Sequence, residues 1–341
     1  MLHQKRVARG ANRRYLHLIN RWECAMAANE TDTIVTAPVK TVADGDTPKG
    51  FVLALVVFMM WGFLPLYLKL VAHLPPLEVL AHRIIWSVPF AGVVVGYAGQ
   101  GGEIAAACRQ PKTLAVVALC SVFICINWGT YIWAVSNAHT VDAALGYFIN
   151  PLFSIALAAV ILREQLSRTQ LMAIALAVMA VVIMAVEIGS IPVVALLLPF
   201  SFGMYAFLHK IVPIGGNPGF TLEALIMSLP AAGYIIWLEA TGNGHFLGSL
   251  PDALLLIGCG AATAIPLMIY ANAAKLLKLS TIGIMQYIAP SMIFLIAVLV
   301  FREPLQPVKL LAFALIWAAL AIYTSSLLRA RRSRRPAPAS R

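Results

Sequence analysis

Apolar residues recur along this chain in runs of about 20, separated by short polar connections, and each run is long enough to cross a hydrocarbon core of roughly 30 Å. The pattern predicts ten membrane-spanning helices at about 51–70, 77–99, 113–135, 141–162, 169–187, 192–210, 219–239, 253–274, 280–301 and 308–328. Short connections make consecutive helices antiparallel neighbours, and ten crossings leave both termini on one side. The expectation is an all-α polytopic membrane protein.

The pattern also repeats. A shift of 139 pairs Pro151 with Pro290, Arg163 with Arg302, Glu164 with Glu303, Tyr131 with Tyr270 and Ala134 with Ala273. Upstream, a shift of 141 pairs Gly62 with Gly203, Lys69 with Lys210, Ser87 with Ser228 and Pro89 with Pro230. Each copy holds five spans, an odd number, so the second must cross in the opposite sense. The expected organisation is a polar and basic tail (1–49), a first five-helix repeat (50–188), a second, inverted one (189–328) and a basic tail (329–341). Inverted repeats are an established basis of alternating access, with the site near the midplane between halves. The Arg-Glu pairs 163–164 and 302–303 read as ion pairs at helix ends.

Composition agrees: 61% of residues are hydrophobic and 11% charged, against about 25% charged in soluble domains. The net charge of +11 sits largely at the termini and in short loops. Arg109, Lys112, Arg163, Arg168, Lys210, Lys275 and Lys278 fall on the terminal side, opposed by Lys69, Arg302 and Lys309. The positive-inside rule therefore places both termini in the cytoplasm. The run "RARRSRR" reads as a stop-transfer anchor on anionic lipids rather than a nucleic-acid site. Cys120, Cys125 and Cys259 lie in apolar spans and read as packing residues. The first basic run is not followed by an apolar core, which argues against a cleaved signal peptide and leaves Met1 and Met26 both open as starts.

Polar groups inside spans are costly and usually face the bundle interior. Glu78, His82 and Trp86 share one helical face at i, i+4 and i+8. Arg83 lies about 10 Å into the second span at 1.5 Å per residue, so it either pairs internally or forms a cavity cation. Lys69 ends the first span, where its ammonium can snorkel. Asn127 and Tyr131 share a face of the third span, and Tyr147, Asn150 and Ser154 form a stripe on the fourth. Tyr270 and Asn272 are their counterparts in the eighth span, Gln286 and Tyr287 in the ninth. Such amides can instead join helices by hydrogen bonds. Glu78 or Glu223 could carry a coupling proton. Prolines 65, 89, 151, 230, 266 and 290 each free a carbonyl, so kinks or local unwinding are expected around them.

The chain carries no G-x-x-x-x-G-K-[ST], H-E-x-x-H or G-x-S-x-G, and no Cys/His cluster with metal spacing. No enzyme, cofactor or metal is expected. The blocks "WGFLPLYLKL", "PPLEVLAHRIIWS", "NWGTYIWAV", "LGYFINP", "FGMYAFLHK" and "IMQYIAPSMIFLIAVLVFREPL" resemble the EamA transporters of the drug/metabolite transporter superfamily, over roughly residues 49–328. That resemblance implies two inverted five-helix repeats around a substrate cavity in a bacterial inner membrane. By position it marks Lys69, Glu78, Arg83, Asn127, Tyr147, Asn150, Glu223, Gln286 and Tyr287. The expected function is export of a small metabolite or drug. An intramembrane lipid-handling enzyme, a passive channel and a homodimeric state stay open.

Overall fold

The computed structural model describes residues 47–161, 166–277, 281–282 and 285–332. Arg163, Glu164, Lys278 and the basic stretches before Thr47 and after Arg332 lie outside these residues. Thr47 Oγ1 accepts the Gly50 amide at 3.0 Å ahead of Pro48, a cap and a first-turn proline that together start α1 (Pro48–Leu70). After α1 come α2 (Pro76–Tyr97), α3 (Gly101–Arg109), α4 (Pro111–Ser136) and α5 (Thr140–Ile161). A reciprocal Ser167–Gln170 capping box opens α6 (Arg168–Ile188), and Gly189, at φ 68°, closes it. The second part holds α7 (Val193–Ile211), α8 (Gly216–Ala240), α9 (Leu250–Leu276), α10 (Ile288–Leu295) and α11 (Pro307–Arg332). A π-helical turn, Ile296–Val300, continues α10. Among the described residues the chain is all-α, with eleven α-helices.

Seven of these helices are long and apolar enough to cross a membrane: α1, α2, α4, α6, α8, α9 and α11. The expected spans at 192–210 and 280–301 fall on shorter apolar helices, Val193–His209 and Ile288–Val300, and the span at 141–162 falls on α5. The hydropathy pattern left the second connection as a loop, yet it contains α3. This short helix packs Ile104 and Ala107 against Val117, Leu208 and Val212. Its Glu103 Oε2 accepts the Gly215 amide at 3.2 Å.

Of the kinks or local unwinding expected at the prolines, unwinding does not occur at five of them. Pro65, Pro89, Pro151, Pro230 and Pro266 all lie inside continuous helices. A proline removes only one ladder hydrogen bond, and these helices absorb the loss without breaking. The break falls instead at the turn Gln286–Tyr287, just before α10. Pro290 thus sits in the first turn of α10, where its missing N–H needs no partner. The shared proline has two different tasks in the two copies.

Packing pairs the helices selectively. α2 lies against α8 and α9, α1 against α9 and α10, α7 against α4 and α5, α4 also against α8, and α5 also against α10. α6 and α11 pair with each other through Ala173, Ala177, Ala180, Ala312 and Ala319, small residues that let two backbones approach. Gly260 does the same for α9 and α2, because a Cβ there would land on the Trp86 backbone.

Candidate functional site

The close approach at Gly260 brings Thr263, one turn along α9, to Arg83 on α2. Arg83 is 5% exposed, and its Nε donates to Thr263 Oγ1 at 2.5 Å. Thr263 donates onward to the Cys259 carbonyl at 2.8 Å, which leaves its oxygen to face the guanidinium as an acceptor. The Arg83 guanidinium carbon lies 4.6 Å from the Trp128 ring centroid, within cation–π range. Its Nη1 is buried without a partner. Among the described residues no carboxylate pairs with it.

Two tyrosines lie within electrostatic range of this charge, Tyr131 on α4 and Tyr147 on α5. Their rings meet edge to face at 5.4 Å. Tyr147 donates its hydroxyl to Asn127 Oδ1 at 3.3 Å. Asn127 Nδ2 donates to the Leu198 carbonyl at 3.0 Å and to Ser201 Oγ at 3.1 Å, so this buried amide joins α4 to α5 and α7. With both amide hydrogens used, it has little left for a ligand. The Tyr131 hydroxyl, in a residue 3% exposed, has no partner, nor does Asn150 Oδ1 one turn beyond Tyr147.

At the Pro76 end of the bundle the α8–α9 connection folds inward. Glu78 is fully buried, accepting the His245 amide at 2.8 Å on Oε1 and meeting His245 Nδ1 at 2.7 Å with Oε2. The next residue, Phe246, stacks on His82 at 4.8 Å and lies 5.8 Å from Trp86. The single face carrying Glu78, His82 and Trp86 is therefore the face that receives this loop. Other contacts fasten the same end. Glu303 accepts the Thr140 and Val141 amides at 3.0 and 2.9 Å, and Lys309 Nζ lies 2.8 Å from Asp142 Oδ1. Glu303 thus serves the N-terminus of α5 in place of the ion pair expected with Arg302, because two free amides and a helix dipole lie within its reach. Lys69 is exposed in the last turn of α1, with Nζ 5.2 Å over the Phe301 ring, away from the interior.

Glu223 sits deeper, on α8, 3% exposed. It accepts the Tyr205 hydroxyl at 3.3 Å, and His209 Nε2 lies 3.4 Å from Oε1. Glu223, Ser87, Ser121, Cys125 and Trp128 border a cavity of about 10 Å³ between α2, α4 and α8, room for about one water. The remaining expected residues lie apart from Arg83's described contacts. Tyr270 packs 5.4 Å from Trp61 and 6.2 Å from Phe58, and Tyr287 stacks on Phe148 at 6.3 Å. Asn272 is exposed and bonds back to the Met268 carbonyl at 2.8 Å. Gln286 lies in the turn before α10.

Sequence reasoning did not select Thr263, Tyr205, His245 or Phe246, and carried Trp128 only within the block "NWGTYIWAV". Thr263 carried a usable signal, standing one turn from a glycine. Phe246 carried none, since nothing local distinguishes a loop aromatic that folds inward.

Comparison with known proteins adds a family. The model of the EamA-like transporter family matches residues 48–186. Protein RarD of Streptomyces exfoliatus is 40% identical over 86% of this chain and 93% of its own. Uncharacterized transporter YojE of Bacillus subtilis is 40% identical over 84% of this chain and 97% of its own. Chloramphenicol-sensitive protein RarD of Pseudomonas aeruginosa is 29% identical over 80% of this chain and 92% of its own. A solved crystal structure shares the fold at a TM-score of 0.53 and 18% identity, covering 84% of this chain and 99% of that one.

Proposed function

Because this chain belongs to the EamA-like transporter family, as a multi-pass membrane protein and not an enzyme, we propose that it is a secondary carrier working by alternating access of two inverted five-helix repeats. The observation that carries this reading is the helix pairing. Exchanging α1, α2, α4, α5 and α6 for α7, α8, α9, α10 and α11 maps the α1–α9 contact onto α7–α4 and α1–α10 onto α7–α5. The α2–α9 contact likewise maps onto α8–α4, while α2–α8, α5–α10 and α6–α11 map onto themselves. A pseudo-two-fold axis relating the halves accounts for all of these at once.

In this reading both termini are cytoplasmic, the Pro76 end faces outward in a bacterial inner membrane, and His245 with Phe246 closes the outer access. The cargo is a small metabolite or drug, exported from the cell; the relative from Pseudomonas aeruginosa is named for chloramphenicol sensitivity. Arg83, Tyr131, Tyr147 and Asn150 contact the cargo. Glu223, a buried carboxylate beside the cavity between α2, α4 and α8, carries the coupling proton. A passive channel fits less well, because among the described residues the cavity that Glu223 borders has room for about one water.

The test uses purified protein in proteoliposomes loaded with small molecules that accumulate in cells lacking it. Counterflow exchange of one of them is the expected result. Leak without exchange would favour a channel, and chemically altered lipid would favour a lipid-handling protein. Glu223→Gln should keep exchange but lose its response to a pH gradient.

A further inference from the structure

Arg83 presents an electrostatic problem. A guanidinium does not lose its proton in a protein, so this group brings a full positive charge into the bundle. Burying a charge without a counter-ion costs several kcal/mol, and natural buried charges are paired or bound to ligands. Here the partners are all neutral: the Thr263 hydroxyl on Nε and the Trp128 ring face, with no carboxylate among the described residues. Nη1 remains unpartnered. A second donor, the Tyr131 hydroxyl, is also buried and unpartnered on a residue within electrostatic range of Arg83, while Tyr147 already spends its hydroxyl on Asn127. An unpartnered Nη1 on an uncompensated cation and an unpartnered hydroxyl on Tyr131 are donors suited to an anion.

We infer that Arg83 and Tyr131 bind a small monoanion, and that its charged group is a carboxylate or similar oxyanion carried by the transported molecule. Nη1 and the Tyr131 hydroxyl supply charge-assisted hydrogen bonds to that group. One buried cation balances one negative charge; Lys69, the other candidate cation, lies at the end of α1. The Trp128 ring and the edge-to-face tyrosines offer apolar walls suited to a compact hydrophobic body. Chloride shares the charge but lacks the body, so the two sources separate by experiment. That the bound anion is cargo rests on the carrier reading; that the site takes an anion does not.

The probes are benzoate, its neutral isostere benzamide, and chloride, each titrated into the full-length protein in liposomes while tryptophan fluorescence and thermal unfolding are followed at constant ionic strength. Benzoate should saturate both signals, with benzamide at least about tenfold weaker. Arg83→Gln should abolish the benzoate effect, Arg83→Lys should recover part of it, and Tyr131→Phe should weaken it several-fold. The comparison of the three probes on unaltered protein stands even if Arg83→Gln does not fold. Equal responses to benzoate and benzamide would overturn the proposal. Chloride acting as strongly as benzoate would overturn the organic cargo and leave an inorganic ion site. Counterflow of labelled benzoate completes the set. Binding without exchange defeats the carrier reading and spares the site, whereas exchange of neutral cargo with no anion preference defeats the site and spares the carrier.

Discussion

Glu78 holds His245 at two points, the ring nitrogen 2.7 Å from one carboxylate oxygen and the backbone amide 2.8 Å from the other. The carboxylate is completely buried, whereas the histidine side chain is 43% exposed. One residue from α2 thereby fixes both the position and the orientation of a loop 167 residues away. Phe246 follows directly and is carried onto His82 and Trp86.

Loosening this grip should uncover Phe246. In a background without the five native cysteines, Phe246→Cys labelled by a membrane-impermeant maleimide should react several-fold faster when Glu78→Gln is added. Unchanged labelling would show that the aromatic stack alone holds the loop.

The Glu303 carboxylate serves as the missing cap of α5. Replacing it by Ala leaves the Thr140 and Val141 amides unpaired in a buried setting, at a cost of about 1–2 kcal/mol, and Glu303→Gln should cost less. Thermal unfolding in detergent should rank the proteins native, Gln, Ala.

Gly260→Val should fail at the level of folding. Its side chain would collide with the Trp86 backbone, which cannot rotate aside as a side chain can, so overpacking of about 1–3 kcal/mol or more is expected. Gly92→Val, on a position with open space around it, is the control and should express normally. Comparing membrane-inserted yields checks both.

Asn127 and Asn150 should separate stability from transport. Asn127→Ala strips partners from Tyr147, Ser201 and the Leu198 carbonyl, costing about 1–3 kcal/mol and lowering the unfolding temperature. Asn150→Ala removes an amide whose oxygen has no partner, so unfolding should hardly move while counterflow falls. Normal transport by Asn150→Ala, and by Gln286→Ala, would exclude both residues from the site.

Much of this arrangement was visible in the linear pattern, for a reason that also sets its limit. A hydrocarbon core demands apolar runs of a given length, so helices appear as runs: seven expected spans lie on helices long and apolar enough to cross, and the one at 280–301 is interrupted at Gln286–Tyr287. The depth of Arg83 along α2 and the common face of Glu78, His82 and Trp86 follow from helical geometry alone. What a residue finds opposite it does not. Asn127 reads like Asn150 in sequence, but α7 places Leu198 and Ser201 against one and leaves the oxygen of the other bare. Only the family resemblance marked Lys69 as a site residue; its place at a helix end predicts snorkelling, and its Nζ lies over the Phe301 ring on an exposed residue. Pro151 and Pro290 occupy matched positions, and only the backbone ahead of each decides whether it is interior or first-turn. The change of offset from 141 to 139 falls in the connection that forms α3 in one half and carries Phe246 in the other.

The π-helical turn at Ile296–Val300 has a mechanical consequence. A π turn holds one more residue than the α turn it replaces, so relaxing it to α geometry rotates everything on one side by about 100° relative to the other. Downstream, Glu303 is anchored to the start of α5. Upstream, the chain is already interrupted at Gln286–Tyr287. The eight residues of α10 therefore lie between an anchored end and a turn. A one-residue change in register would be enough to turn Tyr287 and Phe294 away from α5 and α11, while α5, which lacks such a turn among its described residues, would stay in place.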